Sequence, residues 1–300
     1  MKPLHINIKP KTQKELLGIL FVIPTIIIII IFGIIPIFSS IKYSFTDWDG
    51  MNVQNYIGFK NYIEALVKDE VNIKAIINTI VLTCVCVFLN MIIGFWLANL
   101  VYRMKGRVAE AGKLIVFMPY ILSFAAVGVL FSFIYSSTNM GLLNRLLSIF
   151  KIESFPWLGS IYTAMPSVIL TYVWKDFGFS FLLYYAGLQA MPVSFLEAAA
   201  IDGASAWAIT QYIKLPYLKP ITQTVLTLGV IRYMLTFTII MFLTPAGGPN
   251  KSTEVVSTWF YKQSFKFYRF GYGASLAIIL AIFVTILVFI ARKTTKPEEI

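Results

Sequence analysis

Three stretches of this chain carry no charged side chain: those between Glu15 and Lys42, between Lys74 and Arg103, and between Lys113 and Arg145. Crossing a lipid bilayer takes about 20 mostly apolar residues at 1.5 Å each, so each stretch can hold one spanning helix. A fourth apolar region, Ile161 to Leu188, carries Lys175 and Asp176 in its middle, and a fifth, Tyr217 to Leu243, contains Arg232. The sixth, Ala274 to Ile290, stops at Arg292-Lys293. Hydrophobic residues make up 58% of the chain and charged residues 13%, against about 45–50% and 25% in soluble domains. So few charges cannot clothe a water-facing surface, and most of the exterior must face lipid. The pattern predicts an all-α membrane protein of six transmembrane helices with both termini on one side. The first apolar run, Leu16 to Phe38, is too long for the core of a cleaved signal peptide and lacks a small-residue cleavage site, so it reads as a retained helix. Pro24, Pro36 and Pro119 predict bends, which neighbouring helices can accommodate.

The residue inventory removes several functions. Cys84 and Cys86 share one apolar run and read as packing residues, not a disulfide framework. The sole histidine, His5, lies in a polar N-terminal tail, so neither a histidine metal cage nor a histidine-driven triad is available. The net charge of +11 sits in loops and forms no separate nucleic-acid patch. No G-x-x-x-x-G-K-[ST] motif is present, so the chain cannot bind ATP through that loop. With the N-terminus inside, thirteen Lys and Arg fall on inner segments and ten on outer ones. The compact Arg103–Lys113 loop supports that orientation best, because short loops dominate the rule. Asn78, Asn90 and Asn99 are expected to hydrogen-bond between helices, and Ile26–Ile31 to face lipid or pack. The aromatic, Lys-rich stretch Trp259–Phe270 suits either the headgroup level or a partner protein.

The connection after the fourth region has a shape of its own. Ser194 is placed to N-cap a helix, with Glu197 three residues on at capping-box spacing. Glu197–Ala200 favours helix, and Gly203 permits a sharp turn or close backbone approach. A second helical stretch, Ala204 to Lys214, is expected to end before Pro216. The chain would leave the membrane, turn within residues 191–216 and re-enter.

That stretch resembles the EAA loop of permease subunits of binding-protein-dependent ABC importers. The matching positions are Glu197, Ala198, Ala199, Asp202, Gly203, Ala204, Ile213, Leu215 and Pro216. The aromatic usual midway between the glycine and the proline is replaced by Thr210, with Trp207 and Tyr212 nearby. Trp174 to Pro192, Leu243 to Pro249, Tyr56 to Tyr62 and Gly271 to Ser275 are similar to elements of carbohydrate permeases like the larger maltose-transporter subunit. The resemblance runs from about Leu16 to Ile290.

The resemblance implies a type I importer permease: a domain over 16–291, a coupling loop at 191–216, and cytoplasmic tails at 1–15 and 292–300. It implies a bacterial cytoplasmic (inner) membrane location with both termini cytoplasmic. It also implies a second homologous permease, two cytoplasmic ABC ATPase subunits that hold the ATP and Mg, and an extracytoplasmic binding protein delivering an oligosaccharide. No cofactor belongs to this chain and no catalytic residue is expected. Glu197, Ala198, Ala199, Asp202, Gly203, Ala204, Thr210, Tyr212 and Pro216 would meet the ATPase. Substrate contacts would fall at Lys175, Asp176, Phe179, Leu228, Ile231, Arg232, Tyr233 and Leu235, with Phe179, Tyr184 and Tyr233 offering rings for stacking on a sugar. Charges within the membrane must face protein or a water-filled cavity. Lys175 and Arg232 point to a carboxylate- or sulfate-bearing oligosaccharide, since a guanidinium holds such groups with paired hydrogen bonds. In the alternative, the solute is a neutral oligosaccharide or of glycerol-phosphate type. In the bland reading of the charges, Lys175 and Asp176 neutralise one another and Arg232 pairs with the partner permease. The Leu243–Pro249 turn and the Trp174–Pro192 pattern argue against a permease for polyamines, phosphate or amino acids. An ion-driven transporter would need an intramembrane carboxylate relay, and Asp176 is the one acid placed there. A membrane enzyme would have only Lys175, Asp176 and Arg232 to work with.

Overall fold

The computed structural model describes residues 10–52, 54–138 and 141–294. His5 and the tail lysines Lys2, Lys9 and Lys296 lie outside them, as does most of both expected tails. The described chain is built of helices, apart from one antiparallel bridge between Thr46 and Tyr56. Helix α1 (Pro10–Ile29) runs through a π-helical turn at 30–34 into α2 (Ile35–Ser44). The most apolar part of Gly18–Ser44 has no residue buried against protein, as expected for the Ile26–Ile31 run. After the short α3 (Lys60–Ile63), helix α4 (Glu70–Tyr102) crosses the molecule in 33 residues, with Asp69 accepting from Asn72 N at its start. At 1.5 Å per residue it is about 50 Å long, ample for a bilayer.

The third apolar run does not form one helix. Helix α5 (Gly106–Ile121) ends two residues beyond Pro119, and α6 (Phe124–Ile134) departs at 92°. Leu122 is extended, and Ser123 caps α6 by accepting from Ala126 N at 3.2 Å. The proline was expected to bend the run; the break is complete because a serine cap restarts the helix immediately. After α7 (Leu142–Ile149) comes α8 (Ile161–Ala190), then α9 (Val193–Ile201) at 71° to it, α10 (Ala206–Ile209) and α11 (Leu215–Tyr217). The fifth apolar region is also broken, into α12 (Lys219–Met234) and α13 (Thr238–Leu243). Helices α14 (Val256–Phe265) and α15 (Phe270–Thr294) complete the chain. By length and composition, three of these helices can cross a membrane alone, and up to five segments can if each bent pair counts as one.

The core lies where α4, α8, α12 and α15 meet, around Leu82, Cys86, Val168, Met234 and Leu276. Asn78, Asn90 and Asn99 of α4 do bond between elements. Asn78 donates to the carbonyls of Lys251 and Glu254 at 3.1 and 2.8 Å, Asn90 to the Tyr233 hydroxyl at 2.9 Å, and Asn99 accepts from Lys214 at 2.7 Å. Cys86 is buried, but Cys84 is exposed on the far face and is not a packing residue within this chain. Trp259 is buried on α14 with its ring nitrogen donating to Asp69 at 2.8 Å, so that part of the aromatic stretch is interior packing.

Candidate functional site

Two places gather the residues singled out by the sequence: a charge cluster halfway along α8, and the knob formed by α9 to α11. In the cluster, Asp176 is 1% exposed, with Lys175 Nζ 3.8 Å and Arg232 Nη1 3.5 Å from its Oδ1. Both cations are within ion-pair distance, yet neither Asp176 oxygen accepts a hydrogen bond of normal geometry among the described residues. Lys175 instead donates to the Tyr120 carbonyl at 2.7 Å. That carbonyl is in the last turn of the broken helix α5, where no intrahelical donor remains and the helix dipole favours a cation. The break after Pro119 therefore supplies part of the site.

Aromatic rings wall the cations. Lys175 Nζ sits 4.7 Å from the ring centres of both Tyr120 and Phe124, and the Arg232 guanidinium 4.2 Å from Phe179 and 5.4 Å from Tyr120. Arg232 also donates to the Tyr120 hydroxyl at 3.3 Å. At such distances ring faces attract cations, more so without water. Arg232 occupies the last turn of α12, just before the irregular stretch 235–237. Its side chain is 26% exposed. It lines a cleft of about 430 Å³ shared with Tyr120, Phe124 and Lys175, and a smaller one of about 140 Å³ with Phe124, Tyr172 and Leu235. Irregular backbone at membrane depth persists only where it is buried in protein or lines a cavity, as both breaks do here.

The expected contacts divide. Lys175, Asp176, Phe179, Arg232 and Leu235 come together around the clefts. Ile231 is half-buried, and Leu228, one turn from Arg232, lines a separate polar pocket with Gln223, Thr227 and Arg292. Tyr233 is buried, bonded to Asn90 and set edge-on to Tyr172; Tyr184 is buried edge-on to Phe95. Neither ring lines either of these two clefts, and both are packed in the interior. Sequence reading missed Tyr120, Phe124 and Tyr172. The available signal was Pro119 beside a dense aromatic run, Phe117 to Phe124.

The knob departs from its expected capping. Helix α9 begins at Val193 behind Pro192, so Ser194 lies inside the helix and forms no capping box with Glu197. Pro192, with its fixed φ, takes the N-cap position, so the helix starts two residues earlier than a Ser194 cap would start it. Glu197, Ala198 and Asp202 are exposed, Ala199 is buried and Ala204 half-buried. The helix ends in a Schellman turn: Gly203 N bonds Ala200 O at 3.1 Å and Ala204 N bonds Ala199 O at 2.9 Å. Gly203 has φ +71° and open space around it, so its requirement is backbone geometry rather than room. Ser205 then caps α10, accepting from Ala208 N at 3.2 Å. The second stretch does not end before Pro216. A π-helical turn at Thr210–Lys214 carries the helix on to Tyr217. Its wider i→i+5 bonding relieves the carbonyl clash that proline makes in a regular helix. Thr210 is 2% exposed and bonds the Ala206 carbonyl, whereas Tyr212 is 73% exposed. Trp207 is exposed too, stacked on Trp96 of α4.

Known proteins place this geometry. Among solved structures, a bacterial ABC transporter involved in the import of the acidic polysaccharide alginate has a chain that superposes with a TM-score of 0.84 at 24% identity, covering 95% of this chain and 96% of that one. At that identity the likeness bears on fold alone. A trehalose/maltose transport system permease protein of Thermococcus litoralis is 33% identical, with 95% of each chain covered. A diacetylchitobiose uptake system permease protein of Streptomyces coelicolor is 31% identical, covering 91% of this chain and 81% of its own. Residues 90–293 match the family model described as the inner membrane component of binding-protein-dependent transport systems. This chain belongs to that family, as a multi-helix ABC transporter permease subunit without an ATPase motif of its own.

Proposed function

We propose that this chain forms half of a heterodimeric sugar-import pore with a second homologous permease, and passes an acidic oligosaccharide inward. An extracytoplasmic binding protein delivers the sugar, and two cytoplasmic ATPase subunits, which hold ATP and Mg, dock on residues 191–216. Both termini are cytoplasmic in this reading. Relatives named for trehalose/maltose and diacetylchitobiose uptake support the sugar class.

The observation that carries the acidic reading is the cluster's charge. Lys175 and Arg232 face one carboxylate, Asp176, leaving one positive charge to be met, and the partly exposed Arg232 turns it toward two clefts. A uronate carboxylate or a sulfate would complete the count and pair with the guanidinium fork. Phe179 and Tyr120 would cover apolar sugar faces. A neutral oligosaccharide is the second reading, favoured by the ion-pair distances that already join Asp176 to both cations.

The test is ATP hydrolysis by the complex reconstituted with its binding protein in proteoliposomes. Uronate or sulfated oligosaccharides are expected to stimulate it, and neutral ones of equal length are not. Stimulation by neutral sugars alone would return Lys175 and Arg232 to a structural role.

A further inference from the structure

The knob is fastened to a helix that does not adjoin it in sequence. Lys214, 4% exposed, donates to the Asn99 side chain of α4 at 2.7 Å and lies 5.2 Å from the Tyr102 ring centre. Asn99 is itself buried. Among the described residues these neutral groups, not a carboxylate, hold the buried ammonium. Nearby, Trp207 of the knob stacks on Trp96 of α4, with ring centres 5.9 Å apart and planes within 10°.

The same helix reaches the charge cluster. At Gly94 the backbone meets α8 so closely that an added Cβ would lie 2.8 Å from Phe181 N, five residues beyond Asp176. Asn90 donates to Tyr233, the neighbour of Arg232. Asn99, Gly94 and Asn90 thus tie the knob, α8 and α12 to one rigid segment about 14 Å long.

We infer that α4 transmits movement of the knob to the charge cluster, and that Lys214 and Asn99 are the positioning residues joining the two. The inference rests on the reading of residues 191–216 as the ATPase-coupling loop. Closely packed helices shift as units rather than deforming gradually, so a knob displaced by its ATPase would carry α4 with it. Through α4 it would move α8 and α12, and with them Lys175 and Arg232, relative to the Tyr120–Phe124 wall of the cleft.

The test uses the whole complex, with its binding protein, in proteoliposomes, and reads uptake and the ratio of stimulated to basal ATP hydrolysis. Lys214→Met and Asn99→Leu are each expected to lower both about tenfold, the effect of losing a charge-assisted hydrogen bond. The ATPase should still co-purify at wild-type stoichiometry. The double variant should be no worse than either single one, since the two act as a unit. Asn99→Asp keeps the acceptor and should retain coupling. Unchanged ratios in both single variants, or additive losses in the double, would overturn the inference. Loss of the ATPase from the Lys214→Met complex would make this a folding contact and also overturn it. A wild-type complex without stimulated hydrolysis would refute the coupling reading itself, a separable result and equally fatal here.

Discussion

Two buried clusters in this chain have the same charges and opposite bonding. In one, Glu254 is fully buried and both its oxygens accept from Lys262 Nζ, at 2.8 and 2.7 Å; Thr258 donates to one of them at 2.8 Å, and Lys251 stands 3.5 Å away. In the other, Asp176 is equally buried between Lys175 and Arg232, with no hydrogen bond of normal geometry to either oxygen among the described residues. A carboxylate withdrawn from water costs several kcal/mol unless hydrogen bonds meet its lone pairs. The Glu254 cluster meets that demand, and it clamps the turn after α13 to α4 through Asn78. The Asp176 cluster does not, and its cations instead face Tyr120, Phe124, Phe179 and open space. A finished cluster holds structure together; an unfinished one beside a cleft is suited to a ligand.

The contrast can be broken from either side. The largest effect expected is from Glu254→Ala, which strands Lys262 in the interior and should destabilise by about 3–5 kcal/mol, seen as a fall in the thermal midpoint of the purified complex. Asp176→Asn should shift that midpoint less, because no hydrogen bond is lost. It should instead tighten binding of an anionic sugar about tenfold and slow its release, since an internal competitor for Arg232 has gone; equilibrium binding and single-turnover uptake measure the two. Equal destabilisation by both variants would erase the distinction. Thr258→Val removes one hydrogen bond from the finished cluster and should cost about 1 kcal/mol, read by the same thermal assay. Smallest is an exposed case. Asn55 donates from its backbone and side chain to Asp47, at 2.8 and 3.1 Å, and holds that carboxyl below its ordinary value. Its contribution is present above the ordinary carboxylate pKa and lost as pH falls through the lowered one. Hydrogen exchange over 45–57, corrected for its intrinsic pH dependence, should rise only there.

How much of this was legible in the sequence depends on the range of the forces involved. The apolar runs, the knob and the bonding role of Asn78, Asn90 and Asn99 follow from local pattern, because lipid demands apolar length and internally satisfied polar groups. The Schellman turn at Gly203 was readable as a turn. The missing Ser194 cap was a local misreading, in which Pro192 took priority. The 92° break after Ile121 was not legible, since a proline marks a bend without setting its angle, and the second, at 235–237, has no proline to mark it. Tyr120 illustrates the cost. It lies 55 residues before Lys175 and 112 before Arg232, and only the broken helix brings its carbonyl, ring and hydroxyl to both cations. Tyr233 erred in the other direction: its place beside Arg232 suggested the cleft, but adjacent helical positions point about 100° apart, and it turns into the core toward Asn90.

The central claim is that Arg232 meets an anionic group on the transported sugar. It is tested most directly by uptake of the native substrate through an Arg232→Gln complex whose assembly and thermal midpoint have been checked. The account predicts uptake reduced at least about tenfold, the loss that follows when a charge-assisted pair becomes a neutral contact, with Arg232→Lys recovering only part of it because an ammonium lacks the paired fork. Wild-type uptake by Arg232→Gln would contradict the account.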